Sequence, residues 1–327
     1  MFQILSKYFK IIQYQICYYF LGIFAVLDDL KNRDKNNFEI INKQGKVAVI
    51  TGGARGIGLE VVKKLVQCGV HIVIGCRNVV AGQKTIQQHI SSDVSIEIYE
   101  LDLKSFTSVK SFAQQVLSKH DQIHILVNNA GVMFVPYEKC EDGHEAHWTI
   151  NYLSHFLLTE LLLPALKISG LTNEHARVIN VSSCAHEASP VINFSSISDR
   201  QGYITNAAYS KSKLAQLMST KYYNKILANT NVQVLAVHPG VVNTELFNGT
   251  LLKMLMPWIL NYICKTPEEG SRSVAYACIS PKLEGCGGYY ANCQSAKYLP
   301  YADDEEAQKQ LYDTSMFMIK HFLKVND

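Results

Sequence analysis

Tyr209 and Lys213 have the side-chain types and the spacing of a proton-transfer pair. On a helix, positions i and i+4 lie on the same face, so the two side chains could meet at one site. A free phenol has a pKa of about 10 and is a poor base at neutral pH. A nearby ammonium favours the phenolate, so we expect Lys213 to lower the pKa of Tyr209. Such a tyrosine could exchange a proton with an alcohol oxygen, although the spacing alone also occurs by chance.

A glycine-rich turn at residues 51–58 forms a candidate cofactor site. It follows an apolar, β-branched run at 46–50 that predicts a buried strand, and it precedes a helical pattern. A strand, a glycine turn and a helix form the setting of a dinucleotide site. Gly52 would permit the tight turn, Gly56 would let the backbone approach a pyrophosphate, and Gly58 would allow close helix–strand contact. The free N–H groups of the helix start would bind the phosphates. A glycine turn without a ligand is the alternative.

Arg77 follows the second predicted strand, at 71–75, and lies about 20 residues beyond Gly58. Many NAD sites carry an acidic residue at this distance, which holds the ribose hydroxyls. An arginine suits a 2′-phosphate instead, so the sequence favours NADP(H), with Arg55 as a second contact, and leaves NAD(H) open. A solvated surface arginine is the alternative interpretation.

Further strands are predicted at 95–101, 123–127, 177–181 and 232–237, and they alternate with helical stretches. This alternation predicts βαβ crossovers and therefore an α/β fold, a Rossmann-type doubly wound parallel sheet in a single domain. In such sheets the crevice lies at the carboxyl ends of the strands.

Three of these strand ends carry candidate contacts. Asp102 follows the third strand, where it could meet an adenine, and Ser183 follows the fifth, where its hydroxyl could hold the substrate oxygen beside Tyr209. The turn at 239–240 follows the sixth strand and could close over a nicotinamide, with Thr244 bonding its carboxamide. An ordinary serine turn and an ordinary proline–glycine loop are the alternatives.

Several motifs occur along the chain in one order: T-G-x-x-x-G-x-G at 51–58, N-N-A-G at 128–131, a serine at 183, Y-x-x-x-K at 209–213 and P-G at 239–240. From residue 44 to residue 320, this order resembles the short-chain dehydrogenase/reductase family. The resemblance implies that Tyr209 is the acid/base and that Ser183 polarises the reacting oxygen. It also implies that Lys213 binds the nicotinamide ribose and lowers the pKa of the phenol, and that Asn151 holds a water linking Lys213 to solvent.

The resemblance further implies a nicotinamide cofactor, and we expect no metal ion. The implied cofactor contacts lie in the turns that follow the strands and on the catalytic helix: Thr51, Gly52, Arg55, Gly56, Ile57, Gly58, Arg77, Asp102, Asn129, Ala130, Gly131, Tyr209, Lys213, Pro239, Gly240, Val242 and Thr244.

Shorter segments look like one branch of the family, the retinol dehydrogenase-like enzymes: 130–133, 151–158, 181–186 and 265–270. Within this branch, three segments are most similar to an enzyme of polyprenol and dolichal: 151–163, 238–244 and 281–288. The likeness implies interconversion of a lipophilic alcohol and its aldehyde or ketone, with a polyprenol- or dolichal-type isoprenoid as substrate. Retinol and retinal are the alternative substrates. An alternative of another class is a non-enzymatic binding or secreted signalling protein with the same fold. Family members often pair through helices, so a homodimer is open.

The charge balance argues against a nucleic-acid partner, because 31 basic and 28 acidic residues give a net charge of only +3 and no basic cluster is present. The nine cysteines are odd in number, scattered and without a C-x-x-C motif. We therefore expect mostly reduced core cysteines, and neither a disulfide framework nor a zinc site.

The run from Ile11 to Leu27 contains 17 residues without a charge, which approaches the ~20 residues of a membrane-spanning helix. We predict a membrane anchor at 1–30, a polar linker at 31–44 and the catalytic domain at 45–327. The anchor would attach the protein to the endoplasmic reticulum membrane or to a lipid droplet. A cleaved signal segment of a secreted protein and a soluble amphipathic helix are the alternatives.

Two further segments carry predictions. The resemblance implies that the apolar segment at 251–260 is the substrate lid. Its leucines and methionines suit a hydrophobic substrate. An ordinary core helix is the alternative there. The segment at 303–322 predicts a closing amphipathic helix with acidic residues in its first turn.

Overall fold

The structure is a computed structural model that describes residues 2–91, 94, 96–244 and 262–323. Its described residues form an eight-stranded sheet. In chain order, the strands are β1 Val47–Thr51, β2 His71–Cys76, β3 Ile96–Glu100, β4 Ile125–Asn128, β5 Ala176–Val181, β6 Val232–His238, β7 Gly288–Ala291 and β8 Gln294–Ser295. The helices are α1 Phe2–Lys31, α2 Gly56–Gln67, α3 Val79–His89, α4 Phe106–Leu117, α5 Ser154–Ser169, α6 Thr205–Ile226, α7 Pro267–Ile279 and α8 Glu305–Leu323.

The strand order across the sheet is β3-β2-β1-β4-β5-β6-β7-β8. Neighbouring strands are parallel except for the last pair, β7 and β8, which is antiparallel. The order reverses at β1 and β4, and ligands of such sheets bind in the crevice at that reversal. The predicted Rossmann-type doubly wound sheet is confirmed.

Alternate strand residues divide the core into two layers. Val49 and Val178 face the layer that contains α4, α5, α6 and α8, whereas Ile50 and Ile179 face the layer of α2, α3 and α7. All four side chains are fully buried. Because successive strand residues point to opposite faces, a sheet covered on both faces needs continuous apolar runs, as these strands have.

The predicted limits of the six strands agree with the structure to within two residues. The largest difference is at 123–127, where Ile123 is fully buried but β4 begins only at Ile125. Ile123 is apolar because it is buried in the core, although it precedes β4. The first residue of the third predicted strand, Ser95, and the predicted lid at 251–260 lie outside the described residues.

Helix α1 contains the one described stretch, Ile11–Lys31, that is long and apolar enough to cross a membrane by length and composition. Its end and the following segment are nevertheless bonded to the rest of the chain. Asp29 is 5% exposed and Asn36 is 2% exposed. Asn36 donates through Nδ2 to the carbonyl oxygen of Glu269 at 2.8 Å, and Arg33 forms an ion pair with the Glu269 carboxylate at 2.6 Å.

Helix α8 corresponds to the amphipathic helix predicted at 303–322. Glu305 and Glu306 lie in its first turn, as expected. Its apolar face, including the fully buried Leu311 and Ile319, packs on α4, α5 and α6. The helix therefore closes one layer of the core.

Candidate active site

The hydroxyl of Thr51 joins two of the loops at the carboxyl edge of the sheet. Thr51 ends β1, and its Oγ1 accepts hydrogen bonds from the backbone N–H groups of Asn129 and Ala130, each at 3.0 Å. Nδ2 of Asn129 donates in return to the carbonyl oxygen of Thr51 at 2.9 Å. The glycine turn after β1 and the N-N-A-G segment after β4 are thereby held together.

The glycine turn forms an open cradle. Gly52 and Gly56 have φ angles of 67° and 53°, in the left-handed region that glycine adopts without strain. A Cβ on Gly58 would lie 2.3 Å from the carbonyl oxygen of Gly52, so no side chain fits there. The only described atom within 4 Å of a Cβ built on Gly56 is Cγ2 of Thr244, at 3.9 Å. Thr244 therefore borders the cradle, and its predicted bond to a carboxamide stays a prediction.

Helix α2 begins at Gly56, and its N-cap residue, Arg55, makes no side-chain capping hydrogen bond. The first backbone N–H groups of a helix lack intrahelical acceptors, and the helix dipole favours an anion beside them. Ile57 packs against the core layer of α2 and so fixes the helix start. The cradle and the uncapped helix start fit the phosphates of a dinucleotide.

Arg77 and Asp102 lie at the ends of the outer strands β2 and β3. Arg77 is exposed, and within the described part of the chain it forms no ion pair. Oδ1 of Asp102 accepts from the backbone N–H of Lys104 at 3.0 Å and closes its own turn. The structure gives neither residue a contact with Tyr209 or Lys213, so their roles toward a cofactor stay predictions.

The turn after β6 is fixed from two sides. The backbone N–H of Lys265 donates to the carbonyl oxygen of Val241 at 2.9 Å, and Val242 is 5% exposed. The backbone N–H of Val241 donates to Oδ2 of Asp29 in α1 at 2.8 Å. The predicted nicotinamide turn, Pro239 to Thr244, is thus held by residues far away in the sequence.

Tyr209 and Lys213 lie on one face of α6, with Nζ of Lys213 5.7 Å from the centroid of the Tyr209 ring. Both are buried, at 6% and 4% exposure. The hydroxyl of Ser183, which follows β5, is hydrogen-bonded to Tyr209. Nζ of Lys213 donates to the carbonyl oxygen of Val181 at 2.8 Å and to Oε1 of Gln216 at 3.0 Å. Tyr209, Lys213 and Ser183, three of the four predicted catalytic residues, therefore lie together.

The protonation of the pair differs from the sequence-based expectation. Burial raises the pKa of Tyr209 above its ordinary value, and the hydrogen bond with Ser183 only partly opposes this. Burial also lowers the pKa of Lys213 to about 7. The expected lowering of the phenol's pKa by Lys213 is therefore absent in this arrangement, because desolvation disfavours the charged form of both groups. The phenol is therefore protonated at neutral pH.

Asn151 lies in a π-helical segment, Trp148–Leu153, immediately before α5. Its Oδ1 accepts from the backbone N–H of Val132 at 2.8 Å, and its Nδ2 donates to Oγ of Ser212 at 3.0 Å. A Cβ on Gly131 would lie 3.1 Å from Oδ1 of Asn151 and 3.8 Å from Nζ of Lys213. Gly131 thus adjoins both predicted relay groups. Short π-helical turns are frequent at functional sites, but the sequence carries no periodic signal for one.

Two groups beside Tyr209 were missed by sequence reasoning. The ring of His147 lies edge-on to Tyr209 at 6.3 Å between centroids, and its Nδ1 is 2.7 Å from Oε1 of Glu145. Helix α1 meets the catalytic helix through the hydrogen bond of Tyr14 to Ser210, and Tyr18 lies one turn further along the same face. The Glu-x-His spacing is uninformative by itself, and the apolar pattern around Tyr18 indicated only an anchor.

The glycine cradle, the helix start and the serine–tyrosine–lysine cluster lie at one edge of the sheet, an arrangement that fits a nicotinamide-dependent oxidoreductase. Consistent with this, a family model described as short chain dehydrogenase matches residues 46–191 and 185–253. The chain belongs to the short-chain dehydrogenase family and is an NAD(P)-dependent oxidoreductase.

Among its relatives, this chain is 36% identical over 313 residues to polyprenol dehydrogenase from Homo sapiens, covering 92% of this chain and 94% of that protein. It is 38% identical over 275 residues to retinol dehydrogenase 12 from Homo sapiens, covering 83% and 85%. The fold is similar to the crystal structure of an uncharacterised protein from Mycobacterium paratuberculosis, with a TM-score of 0.69, 28% identity and coverage of 86% of this chain and 96% of that one.

Proposed function

We propose that this protein interconverts a lipophilic alcohol and its aldehyde or ketone, with a polyprenol- or dolichal-type isoprenoid as substrate and NADP(H) as cofactor. The observation that carries the reaction is the meeting of Tyr209, Ser183 and Lys213 at the sheet edge that also bears the glycine cradle. The relationship to polyprenol dehydrogenase, which extends over 92% of this chain, supports the substrate.

A bound nicotinamide would supply or accept the hydride at the carbinol carbon. In the reducing direction, the phenol of Tyr209 would donate its proton to the carbonyl oxygen, and in the oxidising direction it would receive the hydroxyl proton. The Ser183 hydroxyl would donate a hydrogen bond to the same oxygen and so hold it against Tyr209. Burial keeps the phenol protonated, which suits the reducing direction at neutral pH.

Lys213 would return the proton to Tyr209. With a pKa of about 7, its amine can bind or release a proton near neutral pH. Oδ1 of Asn151 and Nζ of Lys213 both lie within 4 Å of a Cβ built on Gly131, so the Asn151 side chain could hold a water that continues the path to solvent. Lys213 and the Asn151 amide are therefore assigned to the relay, and Tyr209 to the substrate proton.

Arg77 supports NADP(H) as the preferred cofactor. Its exposed guanidinium directly follows β2, where a cofactor's ribose would be recognised, and Arg55 lies at the start of α2. A guanidinium binds a phosphate through charge-assisted hydrogen bonds. NAD(H), which lacks the 2′-phosphate, would be the weaker cofactor.

The outer face of α1 supports attachment to a membrane, which we assign to the endoplasmic reticulum or to a lipid droplet. Large apolar side chains on this face are 51% to 65% exposed: Ile12, Ile16, Tyr19, Phe20, Ile23, Phe24 and Leu27. A contiguous exposed apolar surface of this kind marks a lipid or protein contact. Because the opposite face packs on the domain, the helix would lie in the membrane interface.

The proposed function is tested by assaying the purified full-length protein with polyprenol, dolichal and retinal, each with NADP(H) and NAD(H). We expect the highest kcat/KM with an isoprenoid substrate and NADP(H). Preference for retinal would favour the second candidate, retinoid interconversion, to which the 38% identity with retinol dehydrogenase 12 points. Absence of turnover with all three substrates would contradict the proposal.

A further inference from the structure

The inner face of α1 is bonded to the catalytic helix. The hydroxyl of Tyr14 donates to Oγ of Ser210 at 3.3 Å, and Nδ2 of Asn206 donates to Oε1 of Gln15 at 2.7 Å. Ser210 and Asn206 lie one residue after and three residues before Tyr209 in α6. The inner face of α1 therefore adjoins the segment that carries the proposed acid/base.

Tyr18 lies one turn further along the same face of α1. Its ring meets that of Phe134 edge-on, with 6.2 Å between centroids. Phe134 has a φ of 59°, a left-handed conformation that residues other than glycine seldom adopt and that clusters at binding sites. Helix α1 also packs on the short 3₁₀ helix Cys184–Ala188, which directly follows Ser183. Tyr18 thus lies on the face of α1 that meets the segments carrying Tyr209 and Ser183.

The other end of α1 is fixed to the turn after β6. Oδ1 of Asp29 pairs with Nζ of Lys265 at 2.8 Å, and the two side chains are 5% and 6% exposed. Oδ2 of Asp29 accepts from the backbone N–H of Val241 at 2.8 Å. Helix α1 therefore spans from the catalytic helix to the proposed nicotinamide turn, and so borders the site along its length.

We propose that the inner face of α1 forms one wall of the substrate site and that Tyr18 contacts the hydrocarbon chain of the substrate next to its reacting carbon. This assignment rests on the proposed function. Aromatic rings bury large apolar areas with little loss of side-chain freedom, which suits an isoprenoid chain. The same helix carries the apolar outer face, so a substrate that leaves the membrane along α1 reaches Tyr209 without crossing water.

Tyr18 can be tested directly against an aromatic residue outside α1. Phe317 lies in α8 and is 67% exposed. Tyr18→Ala, Tyr18→Phe and Phe317→Ala would be prepared in the full-length protein and assayed in detergent micelles with isoprenoid alcohols of increasing length. Binding of NADPH, followed by its fluorescence, reports on the integrity of the fold.

We expect Tyr18→Ala to raise KM for the long alcohols about tenfold relative to the shortest one, while NADPH binding is unchanged. Tyr18→Phe and Phe317→Ala should keep the wild-type length preference. An unchanged preference in Tyr18→Ala, or an equal change in Phe317→Ala, would overturn the inference while the proposed function stands. A wild-type protein that turns over none of the alcohols would overturn the proposed function, and this inference with it.

If Tyr18→Ala does not fold, a second measurement tests whether Tyr18 contacts the substrate. The photoreactive p-benzoylphenylalanine would replace Tyr18 in one protein and Phe317 in another. Irradiation with a radiolabelled long isoprenoid alcohol in micelles should label the protein at position 18, and excess unlabelled alcohol should suppress that radiolabel. Labelling at position 317 without labelling at position 18 would contradict the assignment.

Discussion

Tyr209 and Lys213 share a buried space in which water stabilises neither charged form. Desolvation raises the pKa of the phenol and lowers that of the amine to about 7. A carbonyl oxygen of Val181 and the amide of Gln216 hold Nζ of Lys213. These shifts are what the proposed proton donation by Tyr209 and proton exchange by Lys213 require.

The neutral state of Lys213 has a consequence for stability. An ordinary lysine has a pKa of 10.5, whereas the buried one has a pKa of about 7. Between these values the unfolded chain binds the extra proton, so stability rises with pH. We expect the wild type to gain stability relative to Lys213→Met as the pH rises from about 7 to 10, measured as Tm at each pH. A Tm difference that is constant over this interval would contradict the lowered pKa.

Arg77 should decide the choice of cofactor. Arg77→Asp would remove a cation suited to a 2′-phosphate and add a carboxylate suited to ribose hydroxyls. We expect the ratio of kcat/KM with NADPH to that with NADH to fall by about tenfold or more. Lys84→Asp, at an exposed position of α3, is the control and should leave the ratio unchanged. A ratio unaffected by Arg77→Asp would remove Arg77 from the cofactor site.

At the scale of elements, α1 depends on a buried ion pair. Asp29 and Lys265 are 236 residues apart in the chain, and their carboxylate and amine meet at 2.8 Å with almost no exposure. Removing one partner would leave the other charge buried and unpaired. The pair therefore ties α1 to the turn that begins at Pro239.

Asp29→Asn should lower the free energy of unfolding by about 3 kcal/mol, since breaking a buried pair leaves Lys265 uncompensated. Chemical denaturation of the full-length protein measures this. Asp28→Asn provides the control, because Asp28 is exposed and its Oδ2 is 3.4 Å from Nδ2 of Asn292. Equal stabilities of Asp29→Asn and Asp28→Asn would show that the Asp29 pair contributes nothing.

The strands were predictable because runs such as Val47–Thr51 are apolar, β-branched and short. The glycine turn and the Tyr209–Lys213 spacing were predictable because their geometry is local. The π-helical turn at Asn151 and the packing of α1 were not, since neither follows from local periodicity. In the sequence, Asp29 is only a charged residue after an apolar run, and no local pattern indicates that it pairs with Lys265. The division into an anchor at 1–30, a linker at 31–44 and a domain stays a prediction. Hydrogen bonds join both the anchor and the linker segments to the domain.

At the scale of the molecule, α1 separates two environments. Its inner face is bonded to the catalytic helix, whereas residues such as Phe20 and Phe24 on its outer face are 56% and 65% exposed. Helix α8 packs on α4, α5 and α6. A homodimer, which the sequence leaves open, stays open.

The outer face should carry membrane attachment. We expect the combined variant Phe20→Gln, Ile23→Gln and Phe24→Gln to move from the membrane fraction to the soluble fraction, because burial of apolar surface in lipid is lost. The control replaces three exposed apolar residues elsewhere, Val80, Ile168 and Val191, by Gln, and should remain with membranes. Flotation on a density gradient measures both, and a triple variant that still floats would refute attachment through this face.

The most direct test of the account is the activity of Tyr209→Phe, which removes one hydroxyl from the centre of the site. We expect its turnover to fall by about 10³-fold while NADPH binding persists. Tyr222→Phe, on the same helix and in ring contact with Tyr312, should retain wild-type turnover. Turnover of Tyr209→Phe close to that of the wild type would contradict the assignment of Tyr209 as the acid/base.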